Sequence, residues 1–441
     1  TTNSTASTNY TFTPVQAGNY NLEAQGLIFT QFPLGWGPGK LITVLPLVTT
    51  NADSGVGSLR QVASVVQGLG GTVTFATNLS GQTITLTSGE IAITNNLTID
   101  ASALPNGIII NGNHNSRIFN IAGGVAVTLN ALVLTNGYTT NGNWGGAIFN
   151  AGTLALNYCT LAGNCGDSSI AGGAIANQGP LTVLGCTFSG NSAGFSGAID
   201  NRSTCTLQNS TFYGNVAFAG NGGAIDNPFS ATLSVLQCTF SGNSASSLGG
   251  AIDNYLSQVN ITNTIVSGNT GQDIYNWSGS TIGAGGANII PALANAGTLA
   301  GGGTISSANP LLGVPANHGG RTLTILPQSG SPAINAGVTG LAVGLAYDQR
   351  GPGYPRVVGS TVDIGAVEYE PLVITSSSSV TFLAGLSNNF ILSATGALAA
   401  TIAVTGTFPS GVTFTPPATL SGTPPDGSGG AWPLTVTASN G

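Results

Sequence analysis

The sequence predicts an all-β protein, a parallel β-helix of stacked coils followed by a small β-sandwich. Three observations carry that prediction. A six-residue word recurs at a period near 26 residues, starting at 145, 172, 196, 222 and 249. Between recurrences apolar residues alternate with polar ones, the period of a strand. Glycine makes up 67 of 441 residues while 5% are charged, so the chain is rich in turns and solvated by hydroxyls and amides.

The same composition excludes several functions. The net charge is −7 and Lys40 is the one lysine, so no basic patch is available to neutralise a phosphate backbone, and nucleic acid is excluded as a partner. The longest apolar run, LITVLPLV at 41–48, is broken by Pro46 and is too short to span a membrane. Methionine is absent, even from position 1, which points to a mature exported chain. A secreted or cell-surface location is expected.

In chain order, residues 1–16 come first, TTNSTASTNYTFTPVQ, in which Tyr10, Phe12 and Val15 are set among polar residues. This is a strand pattern without a core of its own. Residues 17–41 form a linker, and the capped helix of coils spans 42–304. Within 48–67, Leu59, Val62, Val65 and Val66 follow the spacing of a short amphipathic α-helix, placed to cap the coil stack.

The repeats follow. GGAIFN, GGAIAN, SGAIDN, GGAIDN and GGAIDN are spaced 27, 24, 26 and 27 residues apart, and each is followed by a second word, CTLAGN, CTFSGN, STFYGN, CTFSGN or TIVSGN. Strands this short bury no face alone, so successive repeats must stack. Leu154, Leu181, Cys205 and Leu233 then form one inward column, and Leu161, Phe188, Phe212, Phe240 and Val266 another. Asn164, Asn191, Asn215, Asn243 and Asn269 recur at one corner, and Asn150, Asn177, Asn201, Asn227 and Asn254 at a second, where stacked amides bond from coil to coil. Five cysteines, Cys159, Cys165, Cys186, Cys205 and Cys238, match no zinc or redox spacing; Cys159, Cys186, Cys205 and Cys238 fall in the repeat columns and read as small buried fillers. Glycine-rich GAGGAN and LAGGGT near 283–304 read as flexible turns.

The GGAI and TFxxN words resemble the polymorphic outer-membrane-protein repeat of the pectin-lyase-like superfamily, across roughly 125–270. The resemblance implies a right-handed coil. DQRGPGYPRVVGSTVDIGAVE, 348–368, looks like the tail of a choice-of-anchor Q segment, here 305–369, and implies export to a cell surface. Its Asp348, Arg350, Arg356, Asp363 and Glu368 read as an ion-pair network closing the helix.

Residues 370–441 change to short strands between Gly and Pro turns. The run FPSGVTF…ATLSGTPPDGSGGAWPLTVTASNG resembles the immunoglobulin-like (cadherin-like) domains of bacterial surface proteins. In that family a last strand follows the Asn-Gly turn at which this sequence stops, which implies a sandwich lacking its last strand. Phe414, Trp432, Leu434 and Val436 would line the resulting groove. Tyr10, Phe12 and Val15 of another copy have the spacing to fill it.

Pectin-lyase-like helices are often polysaccharide lyases or hydrolases. The candidates here are Asp200, Asp226 and Asp253 in consecutive repeats, with Arg202 beside the first, and they are also the candidate glycan or Ca²⁺ site. Phe149 and Ala176 hold the same position in earlier repeats, so a structural or solvated role is expected instead. His114 and His318 have no Cys or carboxylate at ligand spacing. The expected function is a non-enzymatic structural subunit of an extracellular filament whose partners are copies of itself, with no cofactor or metal. The alternatives are a monomeric adhesin or glycan-binding protein and, behind it, a polysaccharide-cleaving enzyme.

Overall fold

The structure is a computed structural model that describes residues 46–67, 71–140, 144–342, 344–396 and 400–439. The proposed donor residues Tyr10, Phe12 and Val15 and the 17–41 linker lie outside them.

Residues 47–306 form a parallel β-solenoid of three long sheets. The first has 11 strands and runs from Leu47–Val48 to Thr298–Ala300. The second has 10, from Thr83–Thr85 to Thr304–Ser306, and the third has 9, from Ile91–Ile93 to Leu293–Asn295. A small five-stranded sheet, Tyr138–Thr139 to Ser244–Ala245, fills one corner. The register agrees with both columns read from the repeat, Leu154 beside Leu181 and Cys205 beside Leu233, and Phe188, Phe212 and Phe240 in line. These rings stack nearly parallel at 4.5 and 4.6 Å between centroids. One continuous apolar core runs the length of the stack.

The corners explain the small residues. Tyr158, Gly185, Asn209, Gln237 and Asn263 turn the chain with positive φ. The next residue's N–H then points along the stack, where the side chain one coil on accepts it. Cys159 N–H donates to Cys186 Sγ (3.2 Å), Cys186 N–H to Ser210 Oγ (3.1 Å) and Cys238 N–H to Thr264 Oγ1 (3.3 Å). Cysteine here is an acceptor as well as a filler. Cys159, Cys186, Cys205 and Cys238 are buried, as their columns imply, and Cys165, which lies outside those columns, is partly exposed.

The α-helix Leu59–Val66 caps the N-terminal end, packing on Leu47–Val48, Thr72–Phe75 and Ile91–Ile93. Ser58 Oγ caps it by accepting from Gln61 N–H. Its buried face is Leu59, Val62, Ala63 and Val66, while Val65, expected inside, is 40% exposed because the face is narrower than the apolar spacing implies. Asp53 locks the cap in place: its carboxylate accepts from Arg60, Thr87 and Ser88.

Two expectations are corrected. The glycine-rich 283–304 segment forms the last two coils, Thr281–Gly285 with Ala287–Ile289 and Thr298–Ala300 with Thr304–Ser306. Glycine is needed where coils press together: a Cβ on Gly303 would lie 2.6 Å from the backbone carbonyl carbon of Gly285. Secondly, residues 305–369 do not close the end of the helix. They run as a strap along the outer face of the second sheet. Arg321 donates to the carbonyls of Ser102 and Leu104, Gln349 to Cys186 O and Thr187 Oγ1, and Ala366 N–H to Thr239 Oγ1. Thr187, Thr211 and Thr239 point outward and are nonetheless buried beneath it. Ile265, Ile289, Ala333 and Ile364 form a second core there. The strap's charges pair as expected, Arg350 with Asp348 at 2.6 Å and Arg356 with Glu368 at 2.6 Å, all fully buried.

The C-terminal residues form small antiparallel sheets compatible with a sandwich. Asn388–Ile391, Thr419–Gly422 and Val412–Thr415 make one, Thr401–Gly406 and Leu434–Ser439 another, and Val373–Ile374 with Ala394–Thr395 a third.

Candidate functional site

Two amide ladders run through the solenoid. In the first, Asn164, Asn191, Asn215, Asn243 and Asn269 each donate through Nδ2 to the next side chain at 2.8–2.9 Å, ending on Asp273 Oδ1. Each Oδ1 from Asn191 onward also accepts the backbone N–H of the preceding coil's asparagine. The second, Asn150 to Asn254, continues past the expected end to Asn276 and Asn295. The ladders are structural spines.

One residue before three rungs of the second ladder, Asn201, Asn227 and Asn254, lies the carboxylate column, Asp200, Asp226 and Asp253 in direct register. Its outer members are buried, the structural side of the sequence expectation, and Asp226 between them is partly exposed. Asp200 and Asp253 are each 1% exposed. Asp200 takes a 2.7 Å bond from Arg202 Nε, while its Oδ1 is left without a partner. Asp253 accepts from Trp277 Nε1 (2.9 Å) and Asn221 Nδ2 (3.3 Å). Burial pushes the Asp253 carboxyl up to about 6. Asp226 rises well above the carboxylate range through burial and the repulsion of Asp200 and Asp253 on either side, and burial raises Asp200 too. The column holds protons at pH values where free carboxylates are ionised.

Above these carboxyls sits a row of rings that sequence reading missed. The Arg202 guanidinium lies 4.2 Å from the Trp144 ring centre and 5.7 Å from that of Phe229. Phe229 meets Tyr255 edge-on at 5.8 Å, Tyr255 meets Trp277 at 5.6 Å, and Trp277 meets Tyr275 at 4.9 Å. Phe229 is 62% exposed on a turn where it and Ser230 both have positive φ. A signal existed: Arg202, Tyr255 and Trp277 each directly follow a ladder asparagine, and Phe229 follows one after Pro228. Such a row offers partly exposed aromatic surface, of the kind on which a flat apolar face can stack.

In the C-terminal module, Leu392, Ile402 and Leu420 are the buried centre, and Phe414, Leu434 and Val436 pack against it half-buried. Trp432, expected in the same groove, lies 43% exposed outside that cluster. Leu434–Ser439 bonds along one edge to Thr401–Gly406, and its other edge has no strand among the described residues.

His114 Nδ1 lies 3.8 Å from Cys165 Sγ, a pairing between residues 51 apart that sequence spacing did not indicate. His318 Nδ1 bonds Thr324 Oγ1 at 2.9 Å. Among the described residues no group of three or more His, Cys, Asp and Glu is placed to hold a metal ion. No described helix is long and apolar enough to cross a membrane. No family model and no curated protein matches this chain, so the likeness of its repeats to the polymorphic outer-membrane-protein repeat stands on the repeat words themselves.

Proposed function

We propose that this protein is a structural subunit of an extracellular filament. Its N-terminal segment, with Tyr10, Phe12 and Val15 as the inward residues, adds a strand to the C-terminal module of a neighbouring copy. The observation that carries this reading is an open strand in the C-terminal sheets: Leu434 and Val436 remain half-buried, and Leu434–Ser439 has a free edge among the described residues. An added strand would cover both the apolar face and the edge. A contact joining different parts of two copies is head-to-tail, and it extends into a filament when the rotation between copies closes no ring.

The solenoid supports the same reading as a stiff spacer. Its ladder amides bond from coil to coil, and Asp200 and Asp253 are committed to Arg202, Trp277 and Asn221. Asp200 and Asp253, each 1% exposed, are poorly placed to exchange protons with a polysaccharide, which counts against glycoside cleavage by that pair. The charge-poor, hydroxyl-rich composition supports a secreted or surface location.

Electron microscopy of the purified protein beside Phe12→Lys tests the proposal. Filaments in the parent that vanish in the variant are expected; monodisperse rods in both overturn it. The row from Trp144 to Trp277 favours a second reading, glycan binding along the third sheet, checked by retention of the parent and loss of retention in Phe229→Ala on a neutral-glycan column.

A further inference from the structure

The two ends of the solenoid are treated differently. At the N-terminal end the helix Leu59–Val66 covers the first coils with Leu59, Val62, Ala63 and Val66. At the C-terminal end three strands are terminal in their sheets, Leu293–Asn295, Thr298–Ala300 and Thr304–Ser306. All of Thr298–Ala300 is exposed, Leu299 by 50%, and Leu293 and Ile305 are half-buried against the core. Open edges are normally blunted by charge, proline or a bulge. These three strands read LAN, TLA and TIS and carry no charge and no proline.

We propose that this open end is a seat for residues 27–45 of a second copy. The inference rests on the filament reading above. The occupant is argued from the chain outside the described residues. Residues 27–45, LIFTQFPLGWGPGKLITVL, hold ten apolar side chains of Leu, Ile, Val, Phe and Trp and one charge, Lys40, so charge repulsion with the seat is absent. The segment runs directly into Leu47–Val48, the first strand of the 11-stranded sheet, at the opposite end of the stack. That end lies roughly 45–50 Å from the seat, at ~4.8 Å per coil. A copy whose residues 10–15 occupy a neighbour's C-terminal module brings its residues 27–45 to that same neighbour. The segment would then pair on the open edges, its apolar side chains meeting Leu293, Leu299 and Ile305.

The test is hydrogen exchange of the full chain, assembled and diluted, together with Leu299→Lys and Ala300→Lys. Both positions are exposed, so the subunit fold is undisturbed. Slower exchange of residues 293–306 in the assembled state is expected, with roughly tenfold weaker association in both variants and an unchanged thermal midpoint when dilute. Equal exchange in the two states, or variants that assemble like the parent, overturns the seat. Residues 293–306 protected already in the monomer would mean the segment folds back on its own chain, which also overturns it. Phe12→Lys separates the two ideas. If that variant still forms filaments while 293–306 is protected, strand donation fails and the seat stands. If it abolishes filaments while the parent's 293–306 stays unprotected, strand donation stands and the seat fails.

Discussion

Replacing Asn215 by alanine tests whether the amide ladder is the spine of the solenoid. Asn215 Oδ1 accepts from Asn191 N–H (3.1 Å) and Asn191 Nδ2 (2.9 Å), and its Nδ2 donates to Phe188 O (3.0 Å) and Asn243 Oδ1 (2.8 Å). All four bonds are buried. Asn191 Nδ2 keeps Leu161 O as an acceptor, and Asn243 Oδ1 keeps the Asn215 N–H, so those two losses are partial. The Asn191 N–H and Phe188 O lose their amide partner. At about 1–3 kcal/mol for each buried group left unpaired, the expected cost is about 4 kcal/mol. Asn157→Ala is the control: half-buried, with a single side-chain bond to Asn130 Oδ1 at 2.9 Å, it should cost about 1 kcal/mol or less. Urea unfolding gives the free energies, and hydrogen exchange across 188–215 locates the damage. If Asn215→Ala costs no more than Asn157→Ala, the ladder is decoration and the stacked core alone holds the coils.

Other expectations follow from the charges. The Asp253 carboxyl sits near 6, above its ordinary 3.8, so the folded state binds the proton more tightly; the stability this confers is present below pH ~4 and is lost as pH rises through about 6, by up to ~3 kcal/mol. Asp226→Asn, which removes the middle charge of the column, should raise the thermal midpoint at pH 7.5 and flatten its fall between pH 5 and 7.5; a lowered midpoint at pH 7.5 would show the carboxylate to be stabilising. Asp53 runs the other way. Burial opposes its ionisation, but bonds from Ser88, Arg60 and Thr87 bring it to about 2, so its contribution is present above pH ~4 and lost as pH falls through 2, about 1 kcal/mol after solvent screening, measurable as loss in Asp53→Asn at pH 6 but not at pH 2. Arg356→Ala strands the buried Glu368 and should cost about 3–5 kcal/mol, with exchange rising across the strap and the threonines beneath it.

The sequence alone determined what repeats. A 24- to 27-residue period with alternating apolar residues admits few solutions besides stacked coils, so the Leu154 and Phe188 columns and both asparagine ladders could be read before any coordinate. The amphipathic cap was legible for the same reason, and it was misjudged only at Val65, where width of the buried face rather than spacing decides. Tertiary structure decided what the period does not encode. The strap lies beside the helix because Gln349 and Ala366 find partners at Thr187 and Thr239, more than 120 residues away. The burial of Asp253 follows from Trp277 and Asn221 of neighbouring coils closing over it, while Asp200 is covered by Arg202 two residues on in its own coil. The row of rings and the His114–Cys165 pair arise likewise from coils brought ~4.8 Å apart. A repeat fixes which residues stack; which outward side chains meet depends on what else packs over each coil, and that is set by contacts distant in sequence.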